Sequence, residues 1–288
     1  MYKINTISTD KLLGPQIDAT IARIPKSLYL LGTPPNPASP SLAVIGTRKP
    51  TVYGQEVAYR LAFELAKRGV VIVSGLALGT DSIAHKAALD AGGITIAVMP
   101  GGLDEIYPRS NVGLARRIVQ TGGALISEYA PGAQPYQSNF VARNRIVAAL
   151  ASGILVVEAA AKSGTMHTAG FALDFGKPVM AVPGAITNTM STGTNNLIAT
   201  GARLIRNTAD ILDEINVGQP AQQTSLPLGD TSEESTIIKL IAGGTQDGDE
   251  LQIASQLTPA LFSQTLTMLE INGVIRAGGG NTWTLAGY

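Results

Sequence analysis

Short apolar runs dominate the middle of the chain and set the kind of fold it can adopt. Between Ser41 and Ile215, segments rich in Val, Ile, Leu and Ala alternate with longer amphipathic stretches. Strands that are apolar on both faces are covered by helices on both sides, which is typical of a parallel sheet. The alternation therefore predicts a doubly wound, mostly parallel, Rossmann-like α/β domain whose ligands bind at the carboxyl ends of the strands.

The predicted elements follow this alternation. We place strands at Ser41–Gly46, Val70–Ser74, Ile94–Met99, Ala124–Ser127, Ile154–Glu158, Val179–Val182 and Arg203–Ile205. We place helices at Gly54–Arg68, Ser82–Ala91, Asn111–Thr121, Phe140–Ala151, Thr165–Phe175 and Thr208–Ile215.

The two ends of the chain differ from this domain in composition. Residues 1–40, which include the proline-rich TPPNPASP, are interpreted as an extension and connector, and the polar residues 216–231 as a linker. Residues 232–288 predict three helices followed by a two-stranded wing, the pattern of a winged helix. Thr258 and Pro259 mark the start of the third helix, as an N-cap followed by proline.

Charge is distributed unevenly although the formal net charge is zero. Residues 1–40 carry a net charge of +2, residues 41–215 of +3 and residues 216–288 of −5. A site for a polyanion is therefore expected in the first two segments.

The composition excludes several kinds of site. The chain has no cysteine, and His85 and His167 are its two histidines, so we expect neither a disulfide, a metal nor a cofactor. The amino terminus shows no basic and apolar leader, and the apolar stretch from Ile146 to Ala161 is too short and interrupted to span a bilayer. These features predict a cytoplasmic protein with no membrane partner.

Glycine-containing loops follow five of the predicted strands. They read GTRKPTVYG from Gly46, SGLALGTD from Ser74, PGGLDE from Pro100, KSGT from Lys162 and PG from Pro183, with Gly193-Thr194-Asn195 shortly after. Glycine lets a backbone approach a phosphate closely, and the helix that follows presents free N–H groups. Five such loops at one edge of a sheet predict a rim that accepts phosphates.

These loops match no common nucleotide fingerprint. The chain has no G-x-x-x-x-G-K-[ST], which excludes a P-loop ATPase, and its first loop lacks the G-x-G-x-x-G of NAD enzymes. Phosphoribohydrolases of a similar fold read P-G-G-x-G-T-x-x-E, whereas this chain reads PGGLDEIYP. A nucleotide-processing hydrolase and a nucleotide sensor remain alternatives.

Cationic and aromatic side chains supply the candidate ligand contacts. Arg48 and Lys49 end the first predicted strand, where an arginine fork can bind two phosphate oxygens at once. Phe140 can stack on an unpaired base, although a phenylalanine at a helix start more often belongs to the core. Arg143 and Arg145 differ by about 200° on a regular helix, so we expect one of them to brace the fold, through Glu158 or Glu128.

Other titratable side chains have structural interpretations. Asp81 and His85, four residues apart on a predicted helix, are interpreted as an i,i+4 contact rather than an acid–base pair. Asp104 and Glu105 could be catalytic, but acids near the start of a helix commonly cap it, and they are interpreted as caps. For His167, ligand contact and plain exposure are both open.

Seven stretches together resemble the DNA-processing protein A family, also called DprA or Smf, from about Tyr29 to Ile215. They read AVIGTRKPTVYG, VVIVSGLALGTDSIAHKAAL, TIAVMPGGLDEIYP, FVARNRIVAAL, LVVEAAAKSGTMHTAGFAL, PVMAVPG and GTNNLIATGA. The resemblance implies a homodimeric protein that binds and protects single-stranded DNA and helps to load the RecA recombinase during natural transformation. It implies a recombination mediator rather than an enzyme.

The resemblance also implies the positions of the DNA pocket. They are Gly46, Thr47, Arg48, Phe140, Arg143, Asn144, Arg145, Ser163, Gly164 and Thr165. The glycine rim adds Lys49, Gly75, Gly101, Gly102, Lys162 and Asn195 to the expected single-stranded-DNA-binding residues. The chain departs from the family at Gly170 and Thr192, where basic residues are usual, and at His167, where an aliphatic residue is usual. Fewer cations predict weaker binding and a shallower salt dependence.

The predicted winged helix has the opposite charge. Its third helix, TPALFSQTLTMLEINGV, contains no Lys or Arg. A recognition helix without cations meets a polyanion poorly. We therefore expect this domain to contact protein, either a dimer mate or a recombination partner.

Overall fold

The computed structural model describes residues 3–13, 24–215 and 231–285. The chain forms two compact units, residues 1–218 and 219–288. Residues 216–230, which are most of the predicted linker, lie outside the described residues.

A nine-stranded sheet runs through the first unit. Its strands are β1 Asn5–Ser8, β2 Ser27–Gly32, β3 Ser41–Ile45, β4 Val71–Ser74, β5 Thr95–Met99, β6 Ala124–Ser127, β7 Gly153–Val156, β8 Val179–Ala181 and β9 Arg203–Leu204. They lie in the order β1-β2-β6-β5-β4-β3-β7-β8-β9. Strands β3 to β9 are parallel, whereas β1 and β2 pair antiparallel. The predicted mostly parallel sheet is confirmed.

Helices cover both faces of this sheet. They are α1 Thr9–Leu13, α2 Val52–Lys67, α3 Thr80–Asp90, α4 Val112–Gln120, α5 Gln137–Leu150, α6 Thr165–Asp174, α7 Thr192–Ala199 and α8 Thr208–Glu214. Successive residues of a strand enter opposite cores, because side chains alternate along it. Leu42 and Val44 of β3 pack with α2 and α3, whereas Ala43 and Ile45 pack with α5 and α6. The doubly wound architecture is confirmed.

Part of the amino-terminal segment departs from its interpretation as an extension and connector. It contributes β1 and β2 to the sheet, and β2 pairs with β6 so that Leu30 lies opposite Ile126. Leu28 and Leu30 are buried in the core shared with α5. The short apolar run of β2 is followed directly by the proline-rich segment. For this reason the sequence analysis assigned it to the connector and did not predict a strand.

The order of the strands fixes where a ligand can enter. From β3 to β6 the chain moves toward one edge of the sheet, and from β7 to β9 it moves toward the other. The loops after β3 and β7 therefore diverge and leave a crevice at the carboxyl ends of these strands. Helix α5 crosses back from β6 to β7 and packs against β3, β4 and β5 beside that crevice.

The second unit has the three helices and the wing that its sequence predicts. Its elements are α9 Ser232–Ala242, α10 Gly248–Ser255, α11 Pro259–Ile271, β10 Ile275–Gly279 and β11 Thr282–Leu285. The two strands pair antiparallel. Thr258 is the N-cap of α11 and Pro259 its first residue, as predicted. Ile237, Leu251 and Phe262 are buried in a core of their own.

Candidate nucleic-acid interface

A cleft of about 710 Å³ opens at the carboxyl ends of β3, β4 and β7. Its walls come from the loops after these strands, from Tyr107 after β5, from α5 and from the start of α6. Ten of the residues expected to bind DNA line it: Gly46, Thr47, Arg48, Gly75, Phe140, Arg143, Asn144, Ser163, Gly164 and Thr165. The cleft thus lies at the switch point of the sheet, where an open α/β fold binds its ligands.

Backbone and hydroxyl hydrogen bonds hold the loop after β3. The N–H of Thr47 donates to the carbonyl of Glu158 at 2.8 Å, and the N–H and hydroxyl of Thr80 donate to the carbonyl of Thr47 at 3.2 and 3.1 Å. A Cβ at Gly46 would lie 2.6 Å from the Thr80 hydroxyl, so the approach requires glycine. This bracing fixes the backbone from which the exposed Arg48 side chain projects.

A buried carboxylate organises the helix that follows this loop. Glu158 is 1% exposed and accepts hydrogen bonds from the N–H of Thr51 at 2.9 Å and from its hydroxyl at 2.6 Å. The Thr51 hydroxyl in turn accepts from the N–H of Gly54 and caps α2. A carboxylate is favourable there because it meets the positive end of the helix dipole. Glu158 therefore stabilises the start of α2. It is not the partner of Arg143 or Arg145, which was one of the two expectations from the sequence.

Arg48, Phe140 and Tyr107 form an aromatic and cationic cluster at the cleft. The guanidinium carbon of Arg48 lies 5.5 Å from the centre of the Phe140 ring, and the Tyr107 ring meets Phe140 edge-on at 5.6 Å. Phe140 is partly exposed and Tyr107 is 47% exposed, so neither ring belongs to the core. A base can stack on such rings while the arginine meets its phosphate. Tyr107 was missed, because its sole signal was a place in the family-like PGGLDEIYP.

Arg143 supports the floor of the cleft from below. It is 4% exposed, and its Nη1 donates to the carbonyls of Gly75, at 2.6 Å, and of Val98. The neighbouring Asp81 carboxylate accepts from the N–H groups of Gly75 at 3.1 Å and Ala77 at 3.3 Å. Burial lowers the pKa of Arg143 to about 10, so it stays charged at neutral pH, and burial raises the pKa of Asp81. The pair ties together the ends of β4 and β5.

Arg145 faces away from the cleft lining. Its Nη2 lies 2.7 Å from Oε1 of Glu128, one of the two acids expected to hold an arginine, and its Nη1 donates to the carbonyl of Ala142. The sequence predicted that either Arg143 or Arg145 would contact the ligand and the other would brace the fold. In the structure both side chains form hydrogen bonds with protein groups. Asn144 lies between them, lines the cleft and accepts from Nε of Arg143.

The Gly101-Gly102 loop serves packing rather than the open rim. Both glycines are buried beneath residues 130–135, and Gly102 N–H donates to the carbonyl of Ala133 at 2.9 Å. A Cβ on Gly102 would lie 2.7 Å from the carbonyl oxygen of Ala130. Asp104 holds the same covering loop by accepting from Gly132 N–H at 2.8 Å, so it is not a helix cap. Gly101 and Gly102, which were expected to face the ligand, therefore do not line the cleft.

Three other expected residues, together with His167, lie outside the cleft lining. Lys49 and Lys162 are exposed nearby, and His167 is exposed on the first turn of α6. Asn195 instead bonds both the N–H and the carbonyl of Gly184, at 3.2 and 3.0 Å, and fixes the loop after β8. It belongs to α7, where the sequence suggested a loop. Glu105, the second expected cap, instead accepts from the side chains of Arg109 and Gln134.

Asp81 and His85 do not form the expected i,i+4 contact, because each has another partner. The hydroxyl of Thr95 donates to the carbonyl of Ile72, so Nδ1 of His85 must donate to that hydroxyl, at 2.7 Å. The other ring nitrogen, Nε2, is buried without a partner among the described residues. Burial lowers the pKa of His85 to about 3, so the imidazole is neutral and structural.

Comparison with known proteins decides the family. Residues 6–216 match the model of the DNA recombination-mediator protein A family, and residues 219–281 match the DprA winged helix domain. The chain belongs to the DprA family. No helix in the described ranges is long and apolar enough to cross a membrane.

Several DprA proteins are similar over most of the chain. The putative DNA processing protein DprA of Mycobacterium tuberculosis is 40% identical over 254 residues, which cover 83% of this chain and 65% of that protein. Protein Smf of Escherichia coli is 38% identical over 281 residues, which cover 91% and 72%. The chain thus spans about two thirds of the length of the M. tuberculosis protein.

Two solved DprA structures share the fold. The X-ray structure of DprA from Streptococcus pneumoniae superposes with a TM-score of 0.65 at 37% identity, over 74% of each chain. The structure of DprA from Helicobacter pylori, described for its single-stranded DNA binding mode, gives 0.63 at 36% identity over 74% of this chain and 95% of that one.

Proposed function

We propose that this DprA-family chain binds single-stranded DNA in the cleft at the carboxyl ends of β3, β4 and β7 and acts there as a recombination mediator. The cluster of Arg48, Phe140 and Tyr107 carries the proposal. It pairs a cation for phosphate with aromatic faces for bases, the two contacts that single-strand binders combine. The single-strand binding mode described for the H. pylori relative supports the same ligand class.

The polar lining provides a path for the sugar–phosphate backbone. Arg48 projects beside the hydroxyl of Thr47, and Ser163 and Thr165 stand at the start of α6. The Thr165 hydroxyl donates to the carbonyl of Gly46 at 3.1 Å, which fixes the two strand ends against each other. Helix N-termini and hydroxyls bind phosphate oxygens without reading sequence. We therefore propose binding with little sequence preference.

Unpaired bases fit this cleft better than a duplex does. The Phe140 ring is partly buried between Arg48 and Tyr107, so a base must leave its stack to reach it. Bases in a duplex are already stacked and paired, and extruding one costs free energy. We propose a preference for single strands on this ground.

The carboxylates of Asp81 and Asp104, near the cleft, accept hydrogen bonds from the backbone and so stabilise the fold. Asp81 accepts two backbone hydrogen bonds beside Arg143, and Asp104 holds the covering loop. This supports a binding role rather than catalysis.

Family membership supports the remaining parts of the proposal, which are protection of incoming strands, loading of the RecA recombinase during natural transformation, a homodimer and a cytoplasmic location.

Fluorescence anisotropy tests the proposed ligand directly. A labelled dT oligonucleotide is titrated with the intact protein across a salt series, with unlabelled duplex as competitor. We expect a dissociation constant of about 1 µM or lower at low salt, weaker binding as salt rises, and little competition by duplex. Absence of binding at low salt, or equal competition by duplex, would refute the proposal and make nucleotide hydrolysis the next assay.

A further inference from the structure

The second unit contains a small cleft that the proposed DNA site does not use. It has a volume of about 320 Å³ and lies between α10, α11 and β11. Asp249 and Gln252 of α10, Phe262 and Thr267 of α11, and Asn281 and Trp283 of the wing contribute to its walls. These side chains present an apolar floor with polar and acidic groups around it.

The indole of Trp283 lacks a hydrogen-bond acceptor. Its backbone N–H donates to the carbonyl of Gln246 at 2.8 Å, but its side-chain Nε1 is buried and has no partner among the described residues. An indole nitrogen can only donate, and buried donors in folded proteins are normally paired. The buried Nε1 is closed to a ligand, whereas the indole ring forms part of the cleft wall and can contact one.

Charge at this cleft selects a cation. Asp249 is exposed and accepts from the Asn281 side chain at 3.2 Å, which leaves its second oxygen for a ligand. Asp247 and Glu250 flank it along the chain, and residues 216–288 carry a net charge of −5. A phosphate backbone would be repelled at this place, whereas a Lys or Arg side chain would be attracted.

An exposed apolar side chain lies on α10 one turn after the cleft residue Asp249. Ile253 lies four residues after Asp249, on the same side of the helix, and is 79% exposed. An apolar group of this size in water favours a partner that covers it. A single ligand with a cation and an apolar group would meet both Asp249 and Ile253.

We propose that this cleft binds a basic peptide segment of a partner protein. The segment lies against the Trp283 ring, a Lys or Arg side chain pairs with Asp249, and an adjacent aliphatic side chain covers Ile253. The proposal concerns the second unit alone and does not depend on where DNA binds.

Intrinsic fluorescence tests the proposal, because Trp283 is the single tryptophan of the chain. The intact protein is titrated with the acetylated and amidated peptide Ala-Leu-Arg-Ala-Leu-Lys and with its neutral counterpart Ala-Leu-Gln-Ala-Leu-Gln. We expect a saturable change in tryptophan emission with the basic peptide and at least about tenfold weaker binding of the neutral one. Equal responses to both peptides, or no response, would overturn the proposal without any variant.

Two matched variants locate the peptide. Asp249→Asn should weaken binding of the basic peptide by about threefold to tenfold, since a partly exposed charged hydrogen bond is lost. Glu270→Gln removes the same charge from an exposed position of α11 outside the cleft, and it should change affinity by less than about twofold. Equal effects of the two substitutions would contradict the assignment.

Two further measurements separate other occupants. A dT oligonucleotide that displaces the peptide would place nucleic acid in the cleft and overturn the proposal. Tryptophan emission that changes with protein concentration in the absence of peptide would identify a second copy of the chain as the occupant and overturn it as well.

Discussion

The cleft of the first unit and the small cleft of the second unit are built with opposite chemistry. In the first, Arg48 stands over the Phe140 ring at the carboxyl ends of parallel strands. In the second, Asp249 and an unpartnered indole stand between two helices and a wing. One chain therefore separates a surface suited to polyanions from one that repels them. From this comparison we propose that the winged helix of this chain is not the part that meets DNA.

The two units also differ in how they use buried charge. Arg143 with Asp81, and Glu158 at the start of α2, hold the cleft of the first unit from inside. Buried charges are tolerated when they are paired and hydrogen-bonded, and removing one partner is strongly destabilising. The cations of the second unit, Lys239 and Arg276, are exposed. Substitution of the buried Arg143 should therefore lower the free energy of unfolding, whereas substitution of the exposed cations of the second unit should hardly change it.

The largest expected effect is on stability, at Arg143. Arg143→Leu removes the guanidinium that satisfies Gly75 and Val98 and leaves Asp81 buried beside an apolar side chain. We expect the first unit to lose about 3–5 kcal/mol of its free energy of unfolding. Urea unfolding followed by circular dichroism measures this loss, while tryptophan emission reports the second unit, whose transition should not move.

Arg276→Ala is the matched control, an exposed arginine in the wing. It should change the free energy of unfolding by less than about 0.5 kcal/mol. If Arg143→Leu were equally mild, the distinction between structural and surface arginines would fail.

A smaller effect is expected from His85 when the pH falls. Its pKa is lowered to about 3 in the folded state, from 6.5, so the unfolded chain takes up a proton first. The stability contribution is thus present above pH 6.5 and lost as pH falls toward 3, by about 1.4 kcal/mol per pH unit. Unfolding at pH 6.5 and 4.5 should show roughly 2.3 kcal/mol less loss in His85→Asn than in the wild type, because the unfolded imidazole is already half protonated at pH 6.5.

His167→Asn provides the control for this pH dependence, because His167 is exposed. Its pH profile of stability should follow that of the wild type. Wild-type behaviour of His85→Asn would show that the buried imidazole is not kept neutral by the fold.

The next effect is on binding, at Phe140. Phe140→Ala should weaken binding of a dT oligonucleotide by about 1–3 kcal/mol, which is roughly 5- to 150-fold, because a stacking face is lost. Phe140→Tyr keeps the ring and should stay within about threefold of the wild type. Anisotropy titrations of the two variants decide between a stacking and a purely structural role, since a structural phenylalanine would give unchanged DNA affinity in the folded alanine variant.

The architecture was predictable because its signal is local and repeated. Strands apolar on both faces recur between amphipathic helices, and each run predicts its own element. β2 was missed because its short apolar run borders the proline-rich connector. Helical spacing showed that Arg143 and Arg145 diverge, but their partners come from β4, β5 and the loop after β6, which are distant in sequence.

The sequence anticipated most of the residues that line the cleft, but it did not separate them from neighbours that lie outside it. Gly46 and Gly102 look alike in sequence, since both follow a strand in a glycine loop. Gly46 lines the cleft, whereas Gly102 is buried because the loop of residues 130–135 folds over it. Sequence pattern therefore does not distinguish a glycine that lines a cleft from one that is buried under a covering loop. Tyr107 was missed for a related reason. It lies in the loop after β5, and the path of that loop, which brings the ring to the cleft, is not visible in the sequence.

The salt dependence of dT binding in Arg48→Ala tests the central claim most directly. Arg276→Ala, in the winged helix, and Arg116→Ala, exposed on α4 outside the cleft, are its matched controls. We expect Arg48→Ala to bind at least about tenfold more weakly, with a slope of log affinity against log salt that is shallower by about 0.7, the value of one lost phosphate contact. Both controls should keep wild-type affinity and slope. Wild-type binding by Arg48→Ala, or an equal loss in Arg276→Ala, would contradict the assignment of DNA to the first unit.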